Sequence, residues 1–291
     1  MTKSYKVAGH VFALELPDAS PLWSELGQYE PFSTEETCPI FSLRVSESLP
    51  EGERTIVYDP DPEPGETLVR IFAQGADYVV EMSPSCDIPP VAELWISSDF
   101  SSAVLRFLNK SVSSAVFSVN NSMMLVFAFR TACLNTLEMH ASVIRCDGRA
   151  FLFLAKSGTG KSTHSSLWLK HVPGSELLND DNPVVRYHPE DGSVVCYGSP
   201  WSGKTPCYRN ESAPVGTFVR IRRSPDNRIA PLDVFNSYAL LYSSSSGFKA
   251  DRKMADGLHE TLSAVVERCR CFELGCRPDR EAAVVCSEAV L

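Results

Sequence analysis

Residues 155–163 read Ala-Lys-Ser-Gly-Thr-Gly-Lys-Ser-Thr; they follow the apolar run 151–154 and lead into a segment with helical character. A glycine-rich turn between a buried strand and a helix start directs several backbone N–H groups into one concavity, where the helix dipole adds positive partial charge. Lys161 can neutralise the β- and γ-phosphates of a nucleotide, and the Ser162 hydroxyl suits the Mg²⁺ ion that bridges them. The segment therefore predicts a phosphate-binding loop for ATP, and GTP stays open. The residues predicted to bind the nucleotide are Ser157, Gly158, Thr159, Gly160, Lys161, Ser162 and Thr163.

The loop departs at one position from the pattern Gly-x-x-x-x-Gly-Lys-Ser/Thr, because Ala155 stands where the pattern has its first glycine. Alanine fits this turn only if its φ angle is negative. The competing interpretation is a Gly/Ser-rich loop that contains a lysine by chance. The strand-like run before the loop and the helical segment after it favour the phosphate loop.

Two adjacent carboxylates, Asp180 and Asp181, end a second strand-like run that starts at residue 176. A Mg²⁺ ion on Ser162 also needs a carboxylate, either directly or through water. Because one metal ion does not need both acids, one is predicted to bind the metal and the other to accept the proton of an attacking hydroxyl. We assign the base to Asp180 and the metal ligand to Asp181, with the reverse assignment open. Without the phosphate loop, the pair would be interpreted as an acidic turn before Pro183.

Lys204 ends the unusual loop Gly-Ser-Pro-Trp-Ser-Gly-Lys at residues 198–204. A lysine placed after a glycine in a loop can swing onto a transferred phosphoryl group and stabilise the charge that develops there. Lys204 is therefore a candidate catalytic residue. The alternative is an ordinary surface lysine, since lysine is mostly exposed in folded proteins.

The chain has 291 residues, of which 44% are hydrophobic and 22% are charged, and its formal net charge is −9. An acidic surface repels nucleic acid and anionic membranes, so neither is expected as a partner. The N-terminus lacks the pattern of a signal peptide, and the longest apolar candidate for a membrane span, residues 123–134, is interrupted by Arg130. We therefore expect a cytoplasmic protein whose ten cysteines are thiols.

Residues 1–110 are rich in short strand-like runs, such as 78–82 and 91–96, separated by proline, glycine and acidic turns. They predict a β-rich N-terminal region. Because this region carries no catalytic motif, our hypothesis is that it recognises the acceptor. Residues 111–291 are then the catalytic domain, in which strands mixed with helices around the phosphate loop indicate an α/β fold with a mixed sheet.

Two local patterns lead up to the loop. Residues 121–136 have the spacing of a largely buried helix, with Asn120 or Asn121 as its cap. Residues 137–145 and 150–154 flank Asp147-Gly148, which is a strong signal for a β-hairpin. The second strand of this hairpin is predicted to feed the phosphate loop.

A lone histidine on a strand is most often structural, but the sequence around His140 changes that expectation. Met139-His140-x-Ser142, a hairpin, the loop 157–162 and then Asp180-Asp181 together resemble the nucleotide-binding core shared by HPr kinase/phosphorylase and ATP-dependent phosphoenolpyruvate carboxykinase. The resemblance covers about residues 137–215. It implies a mixed-sheet P-loop kinase core, in which the loop lysine and hydroxyl hold nucleotide and metal and the acid pair supplies a metal ligand and a catalytic carboxylate.

The same resemblance implies that His140, which aligns with a metal-binding histidine of the carboxykinases, assists catalysis and binds Mg²⁺, with Mn²⁺ open. Within this superfamily the chain looks closest to small HPr-kinase-like proteins of modified-peptide gene clusters, some of which phosphorylate a peptide serine. That placement depends on the loop 198–204 and on the residues 271–279. The chain has no room for the large N-terminal domain of a carboxykinase.

The sequence therefore predicts a Mg²⁺-dependent kinase that transfers the γ-phosphoryl group of ATP to a hydroxyl, such as a serine of a peptide or protein or a small molecule. Its predicted catalytic residues are Asp180, Asp181, Lys161, His140 and Lys204, and its predicted metal ligands are Ser162, Asp181 and His140. Two alternatives stay open: a regulatory adaptor that binds nucleotide without phosphoryl transfer, and a carboxykinase-like enzyme that acts on a small carboxylate. The acceptor and the oligomeric state, including a homo-oligomer, are not decided by the sequence.

Overall fold

The computed structural model describes residues 1–203 and 205–291, so the candidate residue Lys204 lies outside the described residues. The chain divides into an N-terminal unit, residues 1–130 with 248–251, and a C-terminal unit, residues 131–247 with 252–291. The boundary expected at residue 110 lies before the one observed, because a long helix that follows it belongs almost entirely to the N-terminal unit.

The N-terminal unit is one mixed sheet with a long helix. Its strands are β1 (Thr2–Val7), β2 (His10–Glu15), β3 (Ser33–Thr34), β4 (Phe41–Val45), β5 (Thr55–Tyr58), β6 (Leu68–Gln74), β7 (Asp77–Ser83), β8 (Ala92–Ile96) and β9 (Ser102–Phe107). Its helices are α1 (Leu22–Glu25), a 3₁₀ segment (Gly27–Phe32) and α2 (Val112–Thr131). The strand order is β3-β1-β2-β4-β9-β8-β7-β6-β5, and β4 runs parallel to both of its neighbours.

Helix α2 forms the core of this unit against the sheet. The buried Phe127 ring lies 5.5 Å from the ring of Phe12 on β2, which in turn stacks on Phe41 at 5.4 Å. Among the described residues, α2 is the helix that is long and apolar enough to cross a membrane by length and composition, and 50% of its apolar window is buried inside the structure. A buried core helix meets the same criteria.

The predicted start of this helix was wrong. The helix begins at Val112, and Ser111 caps it by accepting a hydrogen bond from the N–H of Ser114 at 3.3 Å. Asn121 lies inside the helix and donates its side-chain amide to the carbonyl of Phe117 at 2.8 Å. Val112, Ala115, Val116 and Val119 already have the apolar spacing of a helix, so the prediction started the helix too late.

The C-terminal unit contains the remaining elements. Its strands are β10 (Thr136–Glu138), β11 (Ala141–Cys146), β12 (Arg149–Leu154), β13 (Glu176–Asp181), β14 (Val184–His188), β15 (Ser193–Tyr197), β16 (Ser212–Arg223), β17 (Arg228–Pro231) and β18 (Arg270–Cys276). Its helices are α3 (Lys161–His171), α4 (Val234–Ser244), α5 (Arg252–Arg268) and α6 (Arg280–Val290).

Strand β16 joins two parts of this sheet. Its first residues pair with β15 and extend the antiparallel order β10-β14-β15, whereas its later residues lie between β12 and β18, parallel to both. Beyond β12 follow β11 and β13, both in antiparallel pairing. An α/β fold with mixed sheets, as predicted, is confirmed at this level.

Helices α3 and α6 cover one face of the sheet. Trp168 of α3 is fully buried, with its ring 5.3 Å from Phe151 and 5.4 Å from Phe153 of β12. Val219 of β16 belongs to the same hydrophobic cluster, as does Cys286 of α6. Each large side chain buried in this way stabilises the fold by about 2 kcal/mol. The rigid packing fixes the start of α3 against the end of β12.

The predicted hairpin before the loop is confirmed. Asp147 and Gly148 both have positive φ angles, 47° and 73°, and they connect β11 to β12 as a tight turn requires. The first predicted strand is interrupted, however, because β10 pairs with β14 while β11 pairs with β12 and β13. His140 lies in the break between β10 and β11, where its backbone N–H donates to the carbonyl of Ser244 at 2.7 Å.

Candidate functional site

The loop between β12 and α3 has the conformation that its glycines permit. Gly158 and Gly160 have φ angles of 71° and 130°, which side chains disfavour. Ala155 is absent from the described residues with positive φ, so an alanine satisfies this position without strain. The first N–H groups of α3 have no partner within the helix, and they point to where an anion can bind.

Lys161 is the first residue of α3 and is only 8% exposed. Its ammonium group donates to the carbonyl of Ala155 at 3.0 Å and lies 2.6 Å from Nε2 of His140. Burial lowers the pKa of Lys161, and the negative charges of Asp181 and Asp180 partly offset that effect. The loop thus holds a cation inside the site and not at the surface.

His140 connects this lysine to an acid. The Lys161 ammonium can only donate, so Nε2 of His140 accepts, and the proton of the neutral ring is on Nδ1. Nδ1 lies 3.0 Å from Oδ1 of Asp181 and donates to it. Both ring nitrogens are used in this arrangement, so a metal could bind His140 only after Lys161 moves away. The role of His140 as a metal ligand stays a prediction.

Asp180 faces the helix start. Ser162 donates its hydroxyl to Oδ1 of Asp180 at 3.0 Å. The carbonyl of Asp180 accepts the N–H of Gly203 at 2.6 Å and the hydroxyl of Ser202 at 2.9 Å. The segment 199–203 is therefore fastened to the end of β13, next to the two acids.

Asp181 has a strained backbone, with a φ angle of 124°, which costs roughly 1–3 kcal/mol at a non-glycine residue. Burial alone would raise the pKa of Asp181, but its contacts with His140, Lys161 and Asn182 outweigh burial and lower it. Its carboxylate therefore stays ionised at neutral pH. The surrounding structure holds this aspartate in a conformation that it would not adopt alone.

Asn179 organises this corner, and sequence reasoning did not single it out. It is fully buried, and its amide donates to the Ser199 hydroxyl and to the Trp201 carbonyl, each at 3.2 Å. Its Oδ1 accepts the N–H of Asn182 at 3.0 Å. The only signal in the sequence was its place directly before the two aspartates.

The structure brings nearly all of the predicted residues to one cavity of about 400 Å³, here called the phosphate cavity. Its lining residues are His140, Ser157, Gly158, Gly160, Lys161, Ser162, Thr163, Asp180, Asp181 and Gly203. Thr159 lines the two neighbouring cavities instead.

The first neighbour, here called the apolar cavity, lies on the α3 face and has a volume of about 400 Å³. It shares Gly158, Gly160 and Thr163 with the phosphate cavity, and its other walls include Leu167, Ile221, Cys276 and Pro278. Arg223 at its rim donates to the carbonyl of Gly158 at 2.7 Å and so supports the loop. This contact was not predicted, although the sequence shows an arginine cluster at 220–223.

His164 lines the same cavity. It is buried, and its Nε2 accepts the indole N–H of Trp168 at 3.1 Å. Burial lowers the pKa of His164 to about 4, so the ring is neutral and carries its proton on Nδ1. That nitrogen has no hydrogen-bond partner in the described part of the chain.

The oxygen atoms of this site suit Mg²⁺ better than a softer metal. Ser162 and Asp180 present a hydroxyl and a carboxylate within 3.0 Å of each other, and Mg²⁺ prefers such ligands. The described residues contain no group of three or more His, Cys, Asp or Glu side chains that could hold a metal alone.

No family model matches this chain, and no curated protein matches it. Among solved structures, it is similar to the HPr(Ser) kinase/phosphatase from Coxiella burnetii, with 12% identity and a TM-score of 0.29. The match covers 53% of this chain and 93% of that one.

Proposed function

We propose that this chain is a Mg²⁺-dependent, ATP-binding kinase that transfers the γ-phosphoryl group to a hydroxyl. The observation that carries this proposal is the convergence of a phosphate loop and two aspartates in one cavity. Ser162 meets Asp180 directly, and Lys161 meets Asp181 through His140. The loop supplies cationic and N–H groups for phosphates, and the acids supply what a metal and a hydroxyl proton require.

Each residue has a defined part in this function. Lys161 would leave His140 to contact the β- and γ-phosphates. Ser162 and Asp180 would hold Mg²⁺, which neutralises phosphate charge when it is bound. The distance from Ser162 thus favours Asp180 as the metal ligand and Asp181 as the base, which reverses the assignment made from the sequence.

The transfer itself is an in-line displacement. The acceptor oxygen forms a bond to the γ-phosphorus while the bond between that phosphorus and the β–γ bridging oxygen breaks. Asp181 accepts the hydroxyl proton, and ADP leaves with the bridging oxygen. His140 keeps the Asp181 carboxylate oriented through the 3.0 Å contact to its Oδ1. Lys204, outside the described residues, stays a candidate for contact with the transferred group.

The apolar cavity is the natural place for the nucleoside. It continues from the phosphate cavity through Gly158, Gly160 and Thr163, and its walls are aliphatic. An aromatic base buried there removes apolar surface from water. This arrangement suits the base of ATP, or of GTP as the alternative.

The adaptor alternative differs in one observable respect. A protein that only binds nucleotide needs no ionised carboxylate beside the γ-phosphate, yet Asp181 is kept there in a strained conformation. Bound ATP that survives overnight incubation with Mg²⁺ and with every cell extract tried would favour the adaptor.

The test of the proposal is Lys161→Ala, assayed with radiolabelled ATP for phosphoryl transfer to proteins and small molecules of a cell extract. We expect wild type to label an acceptor, and the variant to lose labelling by at least about a hundredfold while its circular dichroism is unchanged. Lys170→Ala, an exposed lysine at the other end of α3, is the matched control and should label normally. Undiminished labelling by Lys161→Ala would end the proposal.

A further inference from the structure

A third cavity adjoins the phosphate loop on the face of β16 opposite α3. It has a volume of about 630 Å³ and is here called the basic cavity, after Lys156, Arg220 and Arg222 in its lining. Val219 and Ile221 of β16 point into the α3 face, so the alternating Arg220 and Arg222 lie on the other one. The basic cavity thus lies mainly on the face of β16 opposite the apolar cavity, and the two linings share Thr159 and Ile221.

The charges of the basic cavity are not balanced. Lys156, Arg220 and Arg222 face a single carboxylate in the lining, that of Glu273. Glu273 lies 2.6 Å from Arg220 and 3.2 Å from Arg222. A guanidinium has five N–H donors, so one carboxylate leaves most of these donors unused. In a chain of net charge −9, this is a local excess of positive charge.

A second observation indicates that the N–H donors not used by Glu273 can bind a ligand. Nε of Arg220 is buried and has no hydrogen-bond partner among the residues that the structure describes. Leaving such a donor unpaired costs free energy. The side chains of Arg220 and Arg222 are 35% and 68% exposed, so their other N–H donors are open to an anion, and guanidinium groups bind carboxylate and phosphate oxygens in pairs of hydrogen bonds.

The basic cavity also reaches the reacting groups. His140 lines both the basic cavity and the phosphate cavity, and its ring contacts Lys161 and Asp181. The backbone N–H of His140 donates to the carbonyl of Ser244 at the end of α4, and Ser244 also lines the basic cavity. A molecule seated there has a direct route to Asp181.

We propose that the basic cavity binds a carboxylate or phosphate group carried by the phosphoryl acceptor, so that the acceptor is an anionic hydroxyl compound. This inference rests on the proposed function, because it names the substrate class of the same site. Arg220 and Arg222 hold the anionic group, Lys156 adds charge from the loop, and the acceptor hydroxyl extends past His140 toward Asp181. The aliphatic part of the acceptor lies against Leu240.

The experiment uses the full chain saturated with Mg²⁺ and a non-hydrolysable ATP analogue, so that the phosphate cavity is filled. Three probes are measured by ligand-observed NMR: glycerate, its uncharged amide, and inorganic phosphate as a competitor of glycerate. We expect glycerate to bind, its amide not to bind, and phosphate to displace glycerate. Arg222→Gln should weaken glycerate about tenfold, the loss of one charge-assisted pair of hydrogen bonds.

The control is Arg228→Gln, which removes the same charge from an exposed arginine on β17 that does not line this cavity. Lys156→Gln provides a second test on an exposed side chain, should Arg222→Gln fail to fold. Equal glycerate affinity in wild type and in both cavity variants would overturn the inference, as would equal binding of glycerate and its amide. Phosphate binding without glycerate binding would assign the cavity to a free anion and overturn the acceptor role.

Failure of the proposed function would appear separately. If the ATP analogue does not bind, the kinase proposal falls, whatever the basic cavity does. If the analogue binds and the arginines have no effect on glycerate, only the assignment of the acceptor falls.

Discussion

Glu93 in the N-terminal unit and Glu138 in the C-terminal unit are both buried, but their surroundings differ. Glu93 pairs with Arg54 at 2.6 Å and also with Arg106, so each carboxylate oxygen faces an arginine. Glu138 is only 1% exposed and belongs to no ion pair among the described residues. A buried carboxylate without a cation is costly, so such groups persist where function or a neighbouring network maintains them.

The pKa values of the two glutamates are therefore shifted in opposite directions. Burial would raise the pKa of Glu93, but hydrogen bonds and charges from Arg54 and Arg106 outweigh burial and lower it. Burial raises the pKa of Glu138 to about 7; a contact with Ser246 opposes this effect, and the charge of Asp181 adds to it. The N-terminal unit neutralises its buried acid, whereas the C-terminal unit accumulates negative charge around one lysine and one histidine.

The largest expected effect concerns the acid that the C-terminal unit keeps ionised. Asp181→Asn removes the base but retains an acceptor for His140, so nucleotide should still bind. We expect phosphoryl transfer to fall about a thousandfold, within the range for loss of a general base. Labelling of an extract by radiolabelled ATP measures transfer, and titration with a fluorescent ATP analogue measures binding.

Asp226→Asn is the matched control, because Asp226 is an exposed aspartate of the same unit. It should leave both measurements unchanged. A similar loss of transfer from the two variants would show that charge in general, and not the position of Asp181, supports the reaction.

The second effect is a stabilisation by Glu138→Gln. The folded state holds the Glu138 proton up to a pKa of about 7, against an ordinary pKa of 4.5 for a glutamate. The free energy of unfolding therefore falls as the pH rises from about 4.5 to 7, by about 3 kcal/mol in total, and the loss is complete above that range. Glutamine removes this titration. The free energy of unfolding of the variant, relative to that of wild type, should therefore rise by about 3 kcal/mol between pH 4.5 and pH 8.

Urea titrations at these two pH values measure the gain, and wild type itself supplies the reference at each pH. If wild type and Glu138→Gln show the same change of unfolding free energy between the two values, the buried glutamate does not titrate as proposed. An added fall in transfer would show that Glu138 also supports the site.

The third effect has the opposite sign and lies in the N-terminal unit. Glu93→Gln leaves Arg54 and Arg106 without their shared carboxylate, although both arginines keep partial contact with water, at 27% and 35% exposure. We expect a destabilisation of about 2 kcal/mol at neutral pH, below the cost for a fully buried pair. Because the pKa of Glu93 is lowered, wild type loses this advantage as the pH falls through that pKa, so the difference should shrink in acid.

Binding of the fluorescent ATP analogue by Glu93→Gln should equal that of wild type once the protein is folded, since the N-terminal unit contributes no residue to the lining of the phosphate cavity. Urea titrations at pH 8 and in acid provide the measurement. A difference from wild type that grows in acid would contradict the pairing described here.

The sequence predicted the parts of the C-terminal unit that depend on local patterns. The hairpin followed from Asp147-Gly148, and the tight turn between β12 and α3 followed from Gly158 and Gly160, whose φ angles only glycine adopts easily. Phosphate binding by this turn stays a prediction. Glu138 could not be found in this way, because a glutamate in a strand-like run is normally placed on the solvent face. Its burial depends on how β10 packs, which is a tertiary property.

Distance along the chain limited the prediction of the remaining contacts. Arg223 supports Gly158 across 65 residues, and Asn179 holds a loop that begins about twenty positions later. No short-range pattern encodes such pairings. For the same reason, the sequence assigned the base to Asp180, whereas the position of Ser162 in space favours Asp181.

The smallest effect tests how tightly the C-terminal unit positions its acid. A Cβ atom on Gly203 would lie 3.0 Å from Cβ and 3.1 Å from Cγ of Asp181, so Gly203→Ala must displace the aspartate by a few tenths of an ångström. We expect transfer to fall about fivefold, because catalysis depends on such alignment, with nucleotide affinity unchanged. Gly27→Ala in the N-terminal unit, where an added Cβ meets nothing within 4 Å, is the control and should match wild type. If transfer is unchanged by Gly203→Ala, the close packing of the 199–203 segment does not set the position of Asp181, and the strained φ angle alone holds it there.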